Sequence, residues 1–562
     1  MFRSDDCNPM NGRFMTSKSI KGWVLAPTSG RGGQEPRVGG GHTLESKGAP
    51  APGREDRKRW LALLLVCAAQ LMIVLDGTIV NVALPTIQSS LGFSEVALSW
   101  VVNAYLLTFG GFLLLGGRAG DLFGRRRVFM LGLALFTLAS LFCGLAGSQA
   151  LLIAARAVQG LGGAIIAPAA LSIIITTFTE PADRARAMGI WGFVVSGGGT
   201  IGVLLGGVLV GTLGWPWIFL VNLPIGIVAL ALCRPLLDAG RTESAAADGG
   251  FDLAGALLVT ASLVAAVYAI VGTNTVGWTS AQTVVLLVAA ASLMGLFIVV
   301  EARTRVPLVP LGIFRSRNLT VSNVVMVLTV AGVFGWFFFG ALYLQRVLGY
   351  GSLQTGLAFL PATLVLGALS YSAAAKVVNR FGVKPMLVVG MSLMALSLAL
   401  FARAPVGGSF VLNVLPGMLL LGFGASFAFL TVILASVSGV PERDAGLASG
   451  LVNTAQQLGG ALGLAVLASV AASRTEGLGG TGSESVAALN GGYHAAFLLS
   501  AIFVALAAVL AVALLRLDRD GKEVGGKMPT PPSVVGAGGA EPTPEIPAAT
   551  LADDHKTLRE GD

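Results

Sequence analysis

Residues 60–84 read WLALLLVCAAQLMIVLDGTIVNVAL, an apolar run with one charged side chain, Asp76. A helix crosses a bilayer in about 20 residues, so this run is long enough to span. A carboxylate near the bilayer centre costs about 2.5–3.5 kcal/mol on insertion scales, so an acid kept there is expected to face a polar path or carry a proton rather than meet lipid. Runs of the same kind recur along the chain, at about 60–82, 97–116, 128–147, 150–175, 187–211, 216–234, 252–272, 282–301, 319–345, 356–375, 385–403, 410–435, 447–472 and 493–516. Spanning β-strands would be about ten residues long and alternating, and these runs are neither. The predicted fold class is therefore an all-α polytopic membrane protein with fourteen transmembrane helices.

Composition points the same way. Hydrophobic residues make up 54% of the chain, mean hydropathy is +0.79, and charged residues are 12%, against about 25% in a soluble domain. The net charge of +8 raises nucleic acid as a partner, but its distribution answers to the bilayer instead. An even number of spans puts both termini on one side. Loops on that side carry Arg118, Arg125, Arg126, Arg127, Arg184, Arg186, Arg303, Arg315, Lys376 and Lys384, among others. The opposite loops carry Arg346, Arg403 and Arg474. Excess Lys and Arg marks the cytoplasmic side, so both termini are expected in the cytoplasm and no nucleic-acid partner is expected.

Catalytic and metal chemistry finds no purchase. Cys67 and Cys143 lie in apolar runs, Cys233 near the end of another, and Cys7 in the polar N-terminal segment; the histidines, His42, His494 and His555, are scattered. That pattern offers neither a metal site nor a disulfide framework. No G-x-x-x-x-G-K-[ST] loop or G-x-S-x-G turn occurs, so neither an ATP-driven pump nor a membrane enzyme is expected, and no cofactor beyond a proton gradient.

The chain repeats itself. Gly124…Gly132 matches Gly382…Gly390, Asp183…Gly189…Gly198…Gly202 matches Asp444…Gly450…Gly459…Gly463, and Leu91-Gly92-Phe93 matches Leu348-Gly349-Tyr350. These matches lie about 260 residues apart, so spans 1–6 should repeat as spans 9–14. The predicted organisation is a disordered basic cytoplasmic tail over 1–59 (or, in part, an over-long gene start), an N-terminal six-helix half over 60–235 and a two-helix insertion with linkers over 236–317. A C-terminal six-helix half follows over 318–516, then a disordered cytoplasmic tail over 517–562. Parallel six-helix repeats place a substrate site at midplane between them.

Several strings, in order, carry a family resemblance across about residues 60–516. They are Leu75-Asp-Gly-Thr-Ile-Val-Asn-Val-Ala-Leu-Pro85, Gly117-Arg-Ala-Gly-Asp-Leu-Phe-Gly-Arg-Arg-Arg127, Leu152-Ile-Ala-Ala-Arg-Ala-Val-Gln-Gly-Leu-Gly-Gly-Ala164, Trp215-Pro-Trp-Ile-Phe-Leu-Val-Asn-Leu-Pro-Ile-Gly226, and the Gly446…Gly459 run. The chain resembles the fourteen-helix drug:proton antiporters of the major facilitator superfamily. The resemblance implies the major facilitator fold, with two six-helix halves plus two extra helices, in a plasma or inner cell membrane. It also implies multidrug efflux and antibiotic resistance as the physiological role. In a host with an outer membrane, a periplasmic adaptor is a further partner left open. One motif departs. The family's fifth-span sequence G-x-x-x-G-P-x-x-G-G reads here as Gly198, Gly202, Val203, Gly206 and Gly207. The glycines keep the small-residue spacing that lets helices approach, but the kink of a mid-helix proline is absent.

Asp76 and Arg156 are the informative pair. Each lies about six residues from the same end of its span, hence about 9 Å below the outer interface. The resemblance places spans 1 and 4 beside one central cavity, where these charges can neutralise each other. A movement that separates them changes the proton affinity of Asp76, and proton coupling requires that; the alternative is a static packing pair. Asn81, five residues on, points about 140° away from Asp76 and is a second cavity candidate. On span 9, Trp336, Phe339 and Tyr343 share a helical face at i, i+3 and i+7. That face offers stacking and cation–π surface to flat or cationic compounds if it lines the cavity, and is otherwise bulk packing. Gly117, Asp121, Gly124, Arg125 and Arg126 form a tight loop that the resemblance assigns to a latch. There Asp121 sits at the N-terminus of span 13, where an anion is stabilised.

These readings converge on a secondary transporter exporting hydrophobic or cationic small molecules in exchange for protons by alternating access. With Val203 at the motif's proline position, a proton-linked uptake symporter for a metabolite is the alternative.

Overall fold

The computed structural model describes residues 53–237, 252–304, 307–372, 374–441, 444–479 and 486–517. The tails expected over 1–59 and 517–562 lie almost wholly outside them. Fourteen helices among the described residues are long and apolar enough to cross a membrane, one for each run read from the sequence. They are α1 (Arg54–Leu91), α2 (Glu95–Phe123), α3 (Arg125–Gly144), α4 (Gln149–Thr177), α5 (Pro181–Thr212) and α6 (Trp217–Leu236). The inserted pair is α7 (Leu253–Val276) and α8 (Ala281–Arg303). The second set is α9 (Arg317–Leu342), α10 (Ser352–Ser372), α11 (Val383–Phe401), α12 (Leu415–Val437), α13 (Ala445–Gly477) and α14 (Val486–Leu514).

The two sets are built alike. In the first, α1 packs on α5 and α6, α4 on α2 and α3, and α3 on α6; in the second, α9 packs on α13 and α14, α12 on α10 and α11, and α11 on α14. Glycines make the corresponding close approaches. A Cβ on Gly198 or Gly206 would fall within 2.9 Å of α1 side chains, and one on Gly459 within 2.7 Å of the α9 backbone at Val327. The tight turns repeat too. Gly92 and Gly349 sit at φ +70° and +71°, and Gly124 and Gly382 at φ +91° and +94°. These left-handed conformations suit a residue without a Cβ.

The halves meet along two seams, α5 with α10 and α2 with α13. The inserted α7 lies against both α2 and α13, while α8 packs on α7. Single-residue loops such as Gly124 allow the spans to follow one another as antiparallel neighbours. The α5 helix runs unbroken through buried Val203, as the missing proline predicts. The α1 helix differs from its apolar run at both ends: it continues back to Arg54 through a polar first turn, and onward past residue 82, through Pro85, to Leu91, so Asp76 lies farther from that end than the run implies.

Candidate functional site

A cavity of about 1080 Å³ lies between the halves, of the size that takes drug-sized ligands. Its walls include Gly77, Asn81 and Arg156 of the first half and Phe334, Trp336 and Phe337 of the second. It extends to the end carrying the α2–α3 turn, where Gly117, Arg118, Arg125 and Asp444 line it. At the opposite end the halves touch. There a Cβ on Gly207 of α5 would come within 2.9 Å of the Ser352 carbonyl at the start of α10, and the Gln345 Nε2 donates to the Val82 carbonyl at 2.9 Å.

Asp76 and Arg156 are both wholly buried and form an ion pair, with Arg156 Nη1 donating to Asp76 Oδ2. Equal counts to the ends of the two apolar runs predict the pairing, but the helices themselves are not so matched: α1 runs on to Leu91, well past Asp76, while α4 starts at Gln149, close before Arg156. Sequence reasoning did not supply the rest of the network. Gln159 Nε2 donates to Asp76 Oδ1 at 2.6 Å and to Ser140 Oγ at 2.9 Å, while its Oε1 accepts from Arg156 Nη1 at 2.8 Å. Arg156 Nε donates to the Val101 carbonyl at 2.8 Å, and Asn222 Nδ2 reaches Ser140 Oγ at 3.4 Å. The guanidinium carbon stands 4.4 Å from the Tyr105 ring centroid and 5.6 Å from that of Phe219. Arg156 thus sits between two aromatic rings, where a desolvated cation–π contact is worth about 2 kcal/mol. Five helices supply this network: α1, α2, α3, α4 and α6. Its one sequence signal was Gln159, three residues after Arg156 and so on the same helical face.

The arrangement has a definite order. Arg156 lines the cavity; Asp76 does not, and stands behind the wall that Gly77 and Arg156 form. Of the residues lining the cavity, Arg156 is the one whose charge is paired with Asp76. A buried charge pair with one member removed is destabilised by about 3–5 kcal/mol, so whatever draws Arg156 aside leaves Asp76 in need of a proton or another cation.

The other expected residues fall into place as follows. Asn81 lines the cavity while its Nδ2 donates back to the Gly77 and Thr78 carbonyls of its own helix, at 3.1 and 3.4 Å. Trp336 lines the cavity, but Phe339 and Tyr343 do not. Phe339 packs against Tyr493 and Phe497 of α14, and the Tyr343 hydroxyl donates to the Pro405 carbonyl at 2.9 Å. The aromatic wall is instead Phe334, Trp336 and Phe337, backed by Phe359 of α10 at 5.0 Å and Phe401 of α11 at 6.3 Å from the Trp336 ring. A 3.6-residue period identifies a shared face, not which face looks inward. Of the α2–α3 turn, Gly117 and Arg125 line the cavity, and Arg126 donates to the Leu237 carbonyl at 3.1 Å, at the end of α6 in the same half. The Asp121 side chain lies outside the described part. Gly198, Gly202 and Gly206 form the α1–α5 contact, and Gly207 belongs to the α5–α10 contact between halves.

Comparison with known proteins agrees with this architecture. The chain is 40% identical to the puromycin resistance protein pur8 of Streptomyces alboniger over 84% of this chain and 94% of that one. It is 38% identical to the cephamycin export protein CmcT of Amycolatopsis lactamdurans over 87% and 98%. The fold matches the crystal structure of the POT family transporter PepTSo at 16% identity, TM-score 0.58, over 81% of this chain and 98% of that one. Residues 66–464 match the family described as Major Facilitator Superfamily, and the chain belongs to it.

Proposed function

We propose that this protein is a secondary transporter that exports hydrophobic or cationic small molecules, antibiotics among them, in exchange for protons by alternating access. The observation that carries this reading is the ordered pair at the cavity wall, Arg156 in the wall and Asp76 behind it. A cationic or polar cargo beside Arg156 competes for its environment, and displacement of the guanidinium changes how firmly Asp76 holds a proton. The names of the resistance and export relatives support export over uptake.

Charge bias places the termini, and with them the end where Arg118 and Arg125 line the cavity, in the cytoplasm of the cell membrane. On that assignment the chamber reaches toward the cytoplasm and is closed on the outside by the α5–α10 contact. Loading would occur from within and release would need that contact to part. The glycine seam between α1 and α5 runs through Thr78 and Leu75, the neighbours of Asp76, so sliding of α5 would be felt at the ion pair.

The test is accumulation of a fluorescent cationic dye in an efflux-deficient host expressing the intact chain or Asp76→Asn. Export predicts low internal dye that rises when an uncoupler is added, and no such response with the variant. Dye that falls on adding uncoupler would establish uptake instead. Uncoupler-sensitive export by Asp76→Asn at the wild-type rate would remove Asp76 from the mechanism.

A further inference from the structure

A pair of carboxylates lies in the inserted helices, and one of them, Asp252, lines the cavity. Asp252 caps α7, its Oδ1 accepting from the Gly255 N–H at 2.7 Å. Glu301 lies near the end of α8, and its Oε2 accepts from the Val309 N–H at 3.3 Å. Asp252 is 8% exposed and Glu301 2%. Each has a second oxygen, Asp252 Oδ2 and Glu301 Oε1, that is buried and has no hydrogen-bond partner. Both of these oxygens crowd the same point: a Cβ on Gly255 would lie 2.6 Å from Asp252 Oδ2 and 2.9 Å from Glu301 Oε1. The two unsatisfied acceptors therefore border the same small space over the bare backbone of Gly255.

Two acceptors in this position satisfy each other only with a hydrogen between them. An unpartnered buried acceptor costs about 1–3 kcal/mol, and more when charged, and neighbouring like charges resist joint ionisation. Among the described residues, no lysine or arginine forms an ion pair with either. Asp252 and the backbone N–H groups of Val309 and Leu308 are the groups that bear on Glu301; Arg303 is exposed, two positions along α8 and so on the opposite face. Arg118, Arg125 and Asp444 line the same cavity as Asp252.

We infer that Asp252 and Glu301 together hold one proton, forming a proton-binding site in the two-helix insertion. One carboxyl O–H donates to the facing oxygen of the other; on ionisation the proton leaves to water in the cavity, which Asp252 lines. The site has a mechanical reach. The Val309 that Glu301 holds belongs to the α8–α9 linker, whose Pro307, Leu308 and Pro310 line the cavity. Val309 also packs with Leu319, Ala448 and Leu451, with Leu114 of α2 against them. With the proton present, the linker is held against the seam where α2 meets α13. With both carboxylates ionised, their repulsion loosens it. The site stands whether or not Asp76 couples transport to protons.

The experiment is pH-titrated infrared difference spectroscopy on the full-length protein in lipid nanodiscs, read in the carbonyl band of protonated carboxyl groups. The expected result is a band at neutral pH in the wild type that is lost in Glu301→Gln and in Asp252→Asn and kept in Asp76→Asn. Carboxyl-labelled aspartate or glutamate in the wild-type protein must shift that band, which keeps the test decisive should either variant fail to fold. No band in the wild type, a band unmoved by either label, or a band that survives in both single variants overturns the proposal. So does a band abolished at fixed pH by sodium or calcium ions, which would make this a metal-cation site.

Discussion

The two halves share a helix plan but not a chemistry. Around α1 and α4 the first half buries a charged network of Asp76, Arg156, Gln159, Ser140 and Asn222. At the corresponding place the second half stacks rings: Phe334, Trp336 and Phe337 on α9, with Phe359, Phe401 and Phe497 behind. One scaffold, repeated, has been filled with groups whose energy depends on protonation in one copy and with groups indifferent to it in the other. The cavity between them takes one wall from each. The contrast suggests a division of labour, in which the first half senses charge and the second supplies an apolar surface to cargo.

Breaking the charged side should have the largest effect. Arg156→Ala leaves Asp76 buried without its cation and is expected to destabilise the fold by about 3–5 kcal/mol, seen as loss of monodisperse protein after detergent extraction. Combining it with Asp76→Asn should recover much of that loss, a coupling that a double-mutant cycle measures. Asp76→Asn alone leaves the buried Arg156 without a counter-charge and turns an amide NH2 toward the Gln159 Nε2 donor. It too should lose stability, by up to about 3–5 kcal/mol, and uncoupler-sensitive export, compared at matched protein level, should fall to background.

The seams come next. Gly202→Ala pushes a methyl into Thr78 and the Leu75 backbone, and Gly463→Ala does the same against Ala331 in the other half. Overpacking of this kind costs about 1–3 kcal/mol in either half. Since the Gly202 contact borders Asp76, that variant should also lose export, and Gly463→Ala should lose melting temperature alone. Gly199→Ala, whose Cβ meets nothing nearer than 3.9 Å, is the neutral control in both assays. The smallest effect is expected on the aromatic side. Trp336→Phe keeps an aromatic ring in the cavity wall, so susceptibility to individual drugs should change by less than about tenfold, a difference of under 1.4 kcal/mol in binding. The uncoupler response should stay intact. If Trp336→Phe instead abolished the response to uncoupler, the two walls would not be separable.

Much of this could be read from the chain because membranes enforce simple rules. Each span announces itself by length, and Asp76 and Arg156 stand out as charges inside apolar runs. Counting from the run ends puts them at one depth only because the first run stops near 82, whereas α1 continues to Leu91. Gln159, Ser140 and Asn222 could not be singled out in the same way. Spans contain many small polar residues, and only tertiary packing determines which of them converge. Phe339 and Tyr343 were grouped with Trp336 by periodicity, yet a period carries no sign, and α14 and the Pro405 carbonyl claim them. Asp252 and Glu301 escaped notice for the opposite reason. At the ends of apolar runs, acids look like ordinary interfacial residues until folding buries both beside Gly255.

The placement of Asp76 one layer behind the lining bears on how broad a cargo range such a protein could accept. An acid projecting into the chamber would have to be fitted by each compound in turn. Here the acid is insulated, and in the proposed mechanism a single guanidinium is the transducer between the chamber and the acid. Under the proposed coupling, the ion would register only that the arginine had shifted and not the shape of what shifted it. Chemically unlike passengers could then drive one and the same proton exchange.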